Sequence, residues 1–181
     1  MRMPKFEKSS PFETRISPHL PSAYNLARWL TRNDVDAEDV MQDSIVKAFR
    51  FFNDAQNEDL KPWLLQIVRN TSFSWLRKNR NFVEFTTDDL LEKVVENNRE
   101  STSTPETLLL QAASAAEIKA ALETLAPELR EIIILREFED LSYKEISTVI
   151  DEKEGTVMSR LSRAREKLKE RLIQNRKGVN P

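Results

Sequence analysis

Apolar residues recur every three or four positions along most of the chain, the spacing of helices that bury one face. Leu20, Ala23, Tyr24, Ala27 and Leu30 predict a helix from about Ser17 to Thr31. Asn33-Asp34-Val35-Asp36 reads as a turn. Asp36 then suits the N-cap of a second helix, with Glu38 and Asp39 favoured in its first turn by the helix dipole. Ala37, Val40, Met41, Ser44, Ile45, Ala48, Phe49 and Phe52 form the predicted inner stripe of that helix. Glu38, Asp39, Gln42, Asp43, Val46, Lys47 and Arg50 form its outer face. After a polar loop over 53–59, a third helix starts near Leu60. Pro62 falls in its first turn, where a missing N–H does no harm. Leu64, Ile67, Val68, Thr71 and Trp75 face its core side, and Arg77-Lys78-Asn79-Arg80 ends it.

Periodicity fades between Phe82 and Thr104, where the chain is acidic and closes on Ser101-Thr102-Ser103-Thr104-Pro105. That stretch reads as a linker with at most a short helical turn at 90–95. Glu106 to Leu125 is strongly helical, and Pro127 punctuates it before Leu129, Ile132, Ile133, Leu135 and Phe138 continue a second core. Ser142 with Glu145 three residues later is a capping box for the next helix. A break follows at 151–154, and a final helix runs from Thr156 to about Leu172. Val157, Leu161, Ala164 and Leu168 repeat at helical spacing on its inner side. The expected fold is all-α: an N-terminal extension (1–11), a helical domain (12–82), a flexible acidic linker (83–106) and a second helical domain (107–181).

Composition narrows the chemistry. With 2 glycines in 181 residues the chain has little material for hairpin turns, P-loops or dinucleotide fingerprints. With no cysteine and 1 histidine it has no disulfide framework, no thiolate zinc site and no conventional triad. No apolar run approaches a membrane span, and the polar start lacks the apolar core of a secretory signal, so the expected location is the cytoplasm. The net charge of −2 conceals blocks. Residues 33–59 carry −6, 61–80 carry +5 without one acid, 83–106 carry −5 and 153–177 carry +6. Two basic blocks set among acidic ones suggest two polyanion contacts and a basic protein partner.

The outer side of the last helix presents Thr156, Ser159, Arg160, Ser162 and Arg163. Short hydroxyls let a backbone approach DNA, while arginines reach phosphates or guanine edges. With the preceding helix this reads as a helix-turn-helix, although a basic helical hairpin fits the pattern too.

Two segments then resemble a known family. One is Asp36-Ala37-Glu38-Asp39-Val40-Met41-Gln42-Asp43-Ser44-Ile45-Val46-Lys47-Ala48-Phe49, followed by Trp63-Leu64-Leu65-Gln66-Ile67-Val68-Arg69-Asn70. The other runs from Leu125-Ala126-Pro127 through Leu135-Arg136-Glu137 and Leu141-Ser142-Tyr143-Lys144-Glu145-Ile146 to Gly155-Thr156-Val157-Met158-Ser159-Arg160-Leu161-Ser162-Arg163-Ala164-Arg165. In this order they resemble regions 2 and 4 of bacterial sigma factors of the extracytoplasmic-function group. The resemblance implies a promoter-recognition subunit, not an enzyme, needing no cofactor or metal. It implies a polymerase-core face at Glu38, Asp39, Gln42, Asp43 and Val46. Minus-10 contacts fall on Lys61, Arg69, Asn70, Phe73, Arg77 and Lys78, with Asn70 near a flipped base and the 53–59 loop as pocket wall. Minus-35 contacts fall on Arg136, Thr156, Ser159, Arg160, Ser162, Arg163 and Arg165. Trp63 and Trp75 are expected in the core, leaving Phe73 as the exposed aromatic. Implied partners are RNA polymerase core, promoter DNA and an anti-sigma factor, often membrane-anchored in the family. Met158 stands where Lys or Arg is usual, and Ser162 where some members carry a larger group. Two rivals remain open on sequence alone: a stand-alone helix-turn-helix regulator, and a metal-dependent nuclease built on Asp36, Asp39 and Asp43.

Overall fold

The computed structural model describes residues 10–53, 59–79 and 114–177. Every regular element among them is helical. The expected linker at 83–106, the wall residues 54–58 and the start of the helix expected from Glu106 lie outside the described residues.

The chain enters through α1 (Pro11–Ile16), a single short turn-and-a-half that sequence periodicity missed. Its signal was present: Ser10 and Glu13 form a capping box around Pro11. A 3₁₀ turn at Ser17–His19 leads into α2 (Leu20–Thr31), so the helix predicted from Ser17 starts three residues later. Arg32, in left-handed backbone at φ 64°, ends it. The next helix, α3 (Asp34–Phe51), begins before the expected Asp36. Asn33 is the true N-cap, its side chain accepting from the Val35 N–H. Asp34 and Asp36 thus serve the first turn rather than the cap, and Asp34 pairs with Arg28 of α2. α4 (Leu60–Asn79) matches the predicted third helix.

The second half holds α5 (Ala115–Thr124), α6 (Pro127–Ile133), a π-helical turn (Ile134–Phe138), α7 (Tyr143–Ile150) and α8 (Glu154–Lys177). Ser142 caps α7 through the predicted capping box, and its hydrogen bonds hold the Glu145 carboxyl below the usual range. Asp151, left-handed at φ 55° and ψ 50°, makes the turn between α7 and α8. Val157, Leu161, Ala164 and Leu168 are all buried as their spacing predicts, and Leu172 extends the stripe.

Helices α2, α3 and α4 pack around Leu26, Leu30, Val40, Ala48, Leu64 and Val68, while α5, α6 and α8 surround Leu122, Ile132 and Leu161. The two groups are not separate bodies in this arrangement. α4 lies along α7, α2 touches α6, and their buried side chains join in one apolar cluster. Trp63 and Trp75 are half-buried against that cluster, as expected. Phe73 packs there too rather than standing free, and Phe49, expected inside, is 64% exposed while Phe52 is buried. Among the described residues, no helix is long and apolar enough to cross a membrane.

Candidate nucleic-acid interface

Three surfaces carry the candidate residues. On α3 the inner side is closed by Ala37, Val40, Ser44 and Ala48, which leaves Glu38, Asp39, Gln42, Asp43 and Val46 outward and exposed. This face ends in an apolar groove of about 380 Å³ lined by Phe12, Ile45, Val46 and Phe49. Phe12 supports it from below, edge-on to Phe49 and Phe52 at 5.3 and 5.2 Å between ring centres. Lys47 is exposed, as its outer-face position predicts, and its ammonium reaches α4 to donate to Thr71 Oγ1 at 3.0 Å.

The second surface is α4. Asn70, Arg77 and Lys78 are exposed; among the described residues Arg77 donates to Ser74 within its own helix. Lys61 and Arg69 are committed elsewhere. Lys61 Nζ donates to the Glu139 carbonyl at 2.7 Å and lies 3.5 Å from its carboxylate. Arg69 makes a two-pronged pair with Glu131 of α6, Nε to Oε2 at 2.9 Å and a terminal nitrogen to Oε1 at 3.1 Å. Its guanidinium also stacks over Phe73, 4.6 Å from the ring centre, and donates to Asn70 Oδ1 at 3.4 Å.

The third surface is the helix-turn-helix. The buried stripe of α8 turns Ser159 and Ser162 outward, with Thr156 and Arg163 at the margin. Arg163 forms no hydrogen bond or ion pair among the described residues, so it is the uncommitted cation of this half-turn. Arg160 is mostly covered, 3.4 Å from Glu152 and 3.9 Å from Glu131. Arg165 is exposed and pairs with Glu137 at 2.5 Å. Arg136 sits on the π-helical turn, donates to the Leu141 carbonyl at 2.7 Å and stacks over Tyr143. It therefore braces the loop before α7 while staying partly exposed.

Glu131 is the residue sequence reading missed. It is wholly buried, yet it meets arginines from both candidate DNA helices. Burial pushes its carboxyl upward, and the Arg69 hydrogen bond followed by the charges of Arg69 and Arg160 pull against that. For Arg69 burial acts downward, but the Glu131 hydrogen bond and charge carry the balance upward. Arg130, next to it and 1% exposed, donates to the backbone carbonyls of Trp29 and Leu125. Among the described residues no cluster of His, Cys, Asp or Glu could hold a metal ion. Asp36, Asp39 and Asp43 gather no such site.

Comparisons with known proteins divide the chain into the same two helical halves. Residues 16–82 match the family model for sigma-70 region 2, and residues 115–168 match that for sigma-70, region 4. The ECF RNA polymerase sigma factor SigE of Mycolicibacterium smegmatis is 31% identical over 88% of this chain, which spans 61% of that relative. The ECF RNA polymerase sigma-E factor of Haemophilus influenzae is 32% identical over 81% of the chain and 79% of the relative. Among solved structures, the sigma factor RpoE of Bartonella quintana, in complex with the anti-sigma factor NepR, superposes with a TM-score of 0.66 at 29% identity. That match covers 89% of this chain and 96% of the other.

Proposed function

We propose, from the premise that this chain belongs to the sigma-70 family and to its extracytoplasmic-function group of RNA polymerase sigma factors, how its three surfaces divide the work. The exposed acidic face of α3 docks on a basic surface of the polymerase core. α4 captures the minus-10 element as its strands part. The N-terminal half of α8 reads the minus-35 element in the major groove. The chain supplies sequence specificity and strand capture, and leaves bond chemistry to the polymerase. By analogy with the Bartonella protein, an anti-sigma factor is its regulatory partner.

One observation carries this reading: a helix-turn-helix, a second basic helix and an exposed acidic face stand in one chain. A stand-alone regulator uses the first and has no work for the others. Single-strand capture needs cations interleaved with flat groups, and α4 has Arg69 stacked on Phe73 beside the exposed amide of Asn70. In vitro transcription with purified polymerase core on a promoter library tests the reading. Sequence-selective initiation that depends on this chain is the expected result. DNA binding without recruitment of core would return the regulator, and cleavage of DNA by the chain with magnesium alone would return the nuclease.

Asn70→Ala should slow open-complex formation on duplex promoter more than it weakens duplex binding, because its amide acts on an unpaired base. Equal loss of activity on a pre-melted template and on a duplex one would count against that role.

The minus-35 surface separates specificity from affinity. A helix entering the major groove reads bases mainly from its N-terminal half, where the uncommitted Arg163 lies. Arg163→Ala should cost about 1–3 kcal/mol at the preferred site and flatten discrimination among sites. Arg136→Ala should weaken all sites alike and lower the salt slope by about one counterion. Binding titrations over several sequences and salt concentrations measure both, and a reversal of the two outcomes would reverse the roles.

A further inference from the structure

Two cations assigned to the minus-10 helix are held by acids of the other half of the molecule. Arg69 takes both oxygens of Glu131, and Lys61 bonds Glu139 through carbonyl and carboxylate. Asn25 of α2 donates to the same Glu139 carboxylate at 2.7 Å, and Gln66 of α4 donates to the Thr148 carbonyl of α7 at 2.9 Å. We propose that this chain latches itself: Glu131 and Glu139 hold Arg69 and Lys61 of α4 in a closed state that withholds the minus-10 helix from DNA, and opening hands Glu131 to Arg160. The proposal rests on the promoter-reading roles of α4 and α8 given above.

Geometry supports the exchange. Arg69 meets Glu131 through the planar fork that suits a carboxylate best, while Arg160 waits at 3.9 Å from one of its oxygens. In the closed state the cross-half partner therefore holds the stronger position. When α4 leaves, Arg160 is the cation still beside the buried carboxylate, so the charge is never stranded. The seam is a suitable one to part. Beside the apolar contacts of the shared cluster, such as Trp29 against Phe138, it is held by polar groups, Gln66, Lys61 and Asn25, that are readily rehydrated.

Promoter length requires the parting. The minus-10 and minus-35 elements lie roughly 25 base pairs apart by their names, about 85 Å at 3.4 Å per pair. A compact chain of this length is about 40 Å across. The closed molecule can serve one element or neither, but not both. A phosphate and Glu131 also compete for one guanidinium, so the latch and minus-10 binding exclude each other at Arg69.

The absence of cysteine makes the test direct. Spin labels on Arg50→Cys in α3 and Glu166→Cys in α8, both exposed, report the separation of the halves in the full chain. The labelled parent should give one dominant short distance. Arg69→Gln should raise the ratio of long to short distances by about tenfold or more, since it removes the two-pronged bond that ties α4 to the buried carboxylate. Lys119→Gln, which removes an exposed charge from α5, should leave the distribution unchanged. Glu139→Gln, which spares every DNA-facing residue, should open the chain too and raise its affinity for a random 20-nucleotide single-stranded pool several-fold. A parent distribution already dominated by long distances overturns the latch. So do Arg69→Gln and Glu139→Gln variants that stay folded by circular dichroism and superimpose on the parent. No polymerase enters these measurements, so the latch can fail while promoter-dependent transcription succeeds, and the reverse.

Discussion

Replacing both Asp39 and Asp43 with lysine is expected to weaken binding to the polymerase core by two to three orders of magnitude and to abolish promoter-dependent transcription at ordinary concentrations. Both carboxylates stand on the exposed side of α3, one helical turn apart, with Glu38 and Gln42 beside them. Placing like charges opposite a basic partner costs several kcal/mol, and the long-range attraction that steers the encounter is lost with it. Neither side chain is tied into the fold among the described residues. The substitution should therefore change unfolding free energy by no more than about 0.5 kcal/mol. A binding titration against core, with thermal melts as the control, measures both effects. Unchanged affinity in a folded variant would remove α3 from the polymerase interface. Equal loss of helix and affinity would mean only that the protein had unfolded.

Glu131→Ala is expected to do the opposite, damaging the fold itself. The carboxylate is fully buried and joins α6 to α4 through Arg69 and to α8 through Arg160. Removing one side of a buried ion pair strips Arg69 and Arg160 of that acid where neither can fully rehydrate, which costs about 3–5 kcal/mol. For a chain of this size that corresponds to a melting temperature lower by roughly 10 °C. Glu154→Ala, an exposed acid at the start of α8, should shift the melt by less than a few degrees. Melts that agree between the two variants would show that the buried carboxylate contributes nothing through its charge.

These two residues also mark the limit of what the sequence made legible. Asp39 could be placed because helical spacing sorts α3 into an inner stripe and an outer face, and the first half of that outer face is acidic. The same spacing placed Val157, Leu161, Ala164 and Leu168 inside and so oriented the whole of α8. Glu131 could not be placed that way. It follows Arg130 directly, and a charged pair within a helix ordinarily reads as surface. Its partner Arg69 is 62 residues distant, and no local pattern announces a contact made by packing two halves together. Phe49 shows the converse. Periodicity counted it into the stripe, but Phe12 on the unforeseen α1 reaches only its edge, and Phe52 fills the interior instead. The early start of α3 has a simpler cause. Asn33 and Asp36 are both good caps, and an acid three residues into a helix is as welcome as one at its threshold.

The length of α8 makes it a lever. Its 24 residues span about 36 Å, and Leu172, near its far end, is clamped in the common apolar cluster. Thr156, at the end proposed to read the minus-35 element, lies 16 residues from that clamp, or roughly 24 Å. A tilt of about 5° at the clamp swings the reading end by about 2 Å, enough to slip a side chain off the edge of one base. Under the proposed reading of α8, promoter preference would depend partly on buried aliphatic side chains that set its tilt, Leu122 and Leu172 among them. Exchanging a leucine for a smaller neighbour there would retune the helix like a shim under a pivot, altering which sequence is read without altering any residue that reads it.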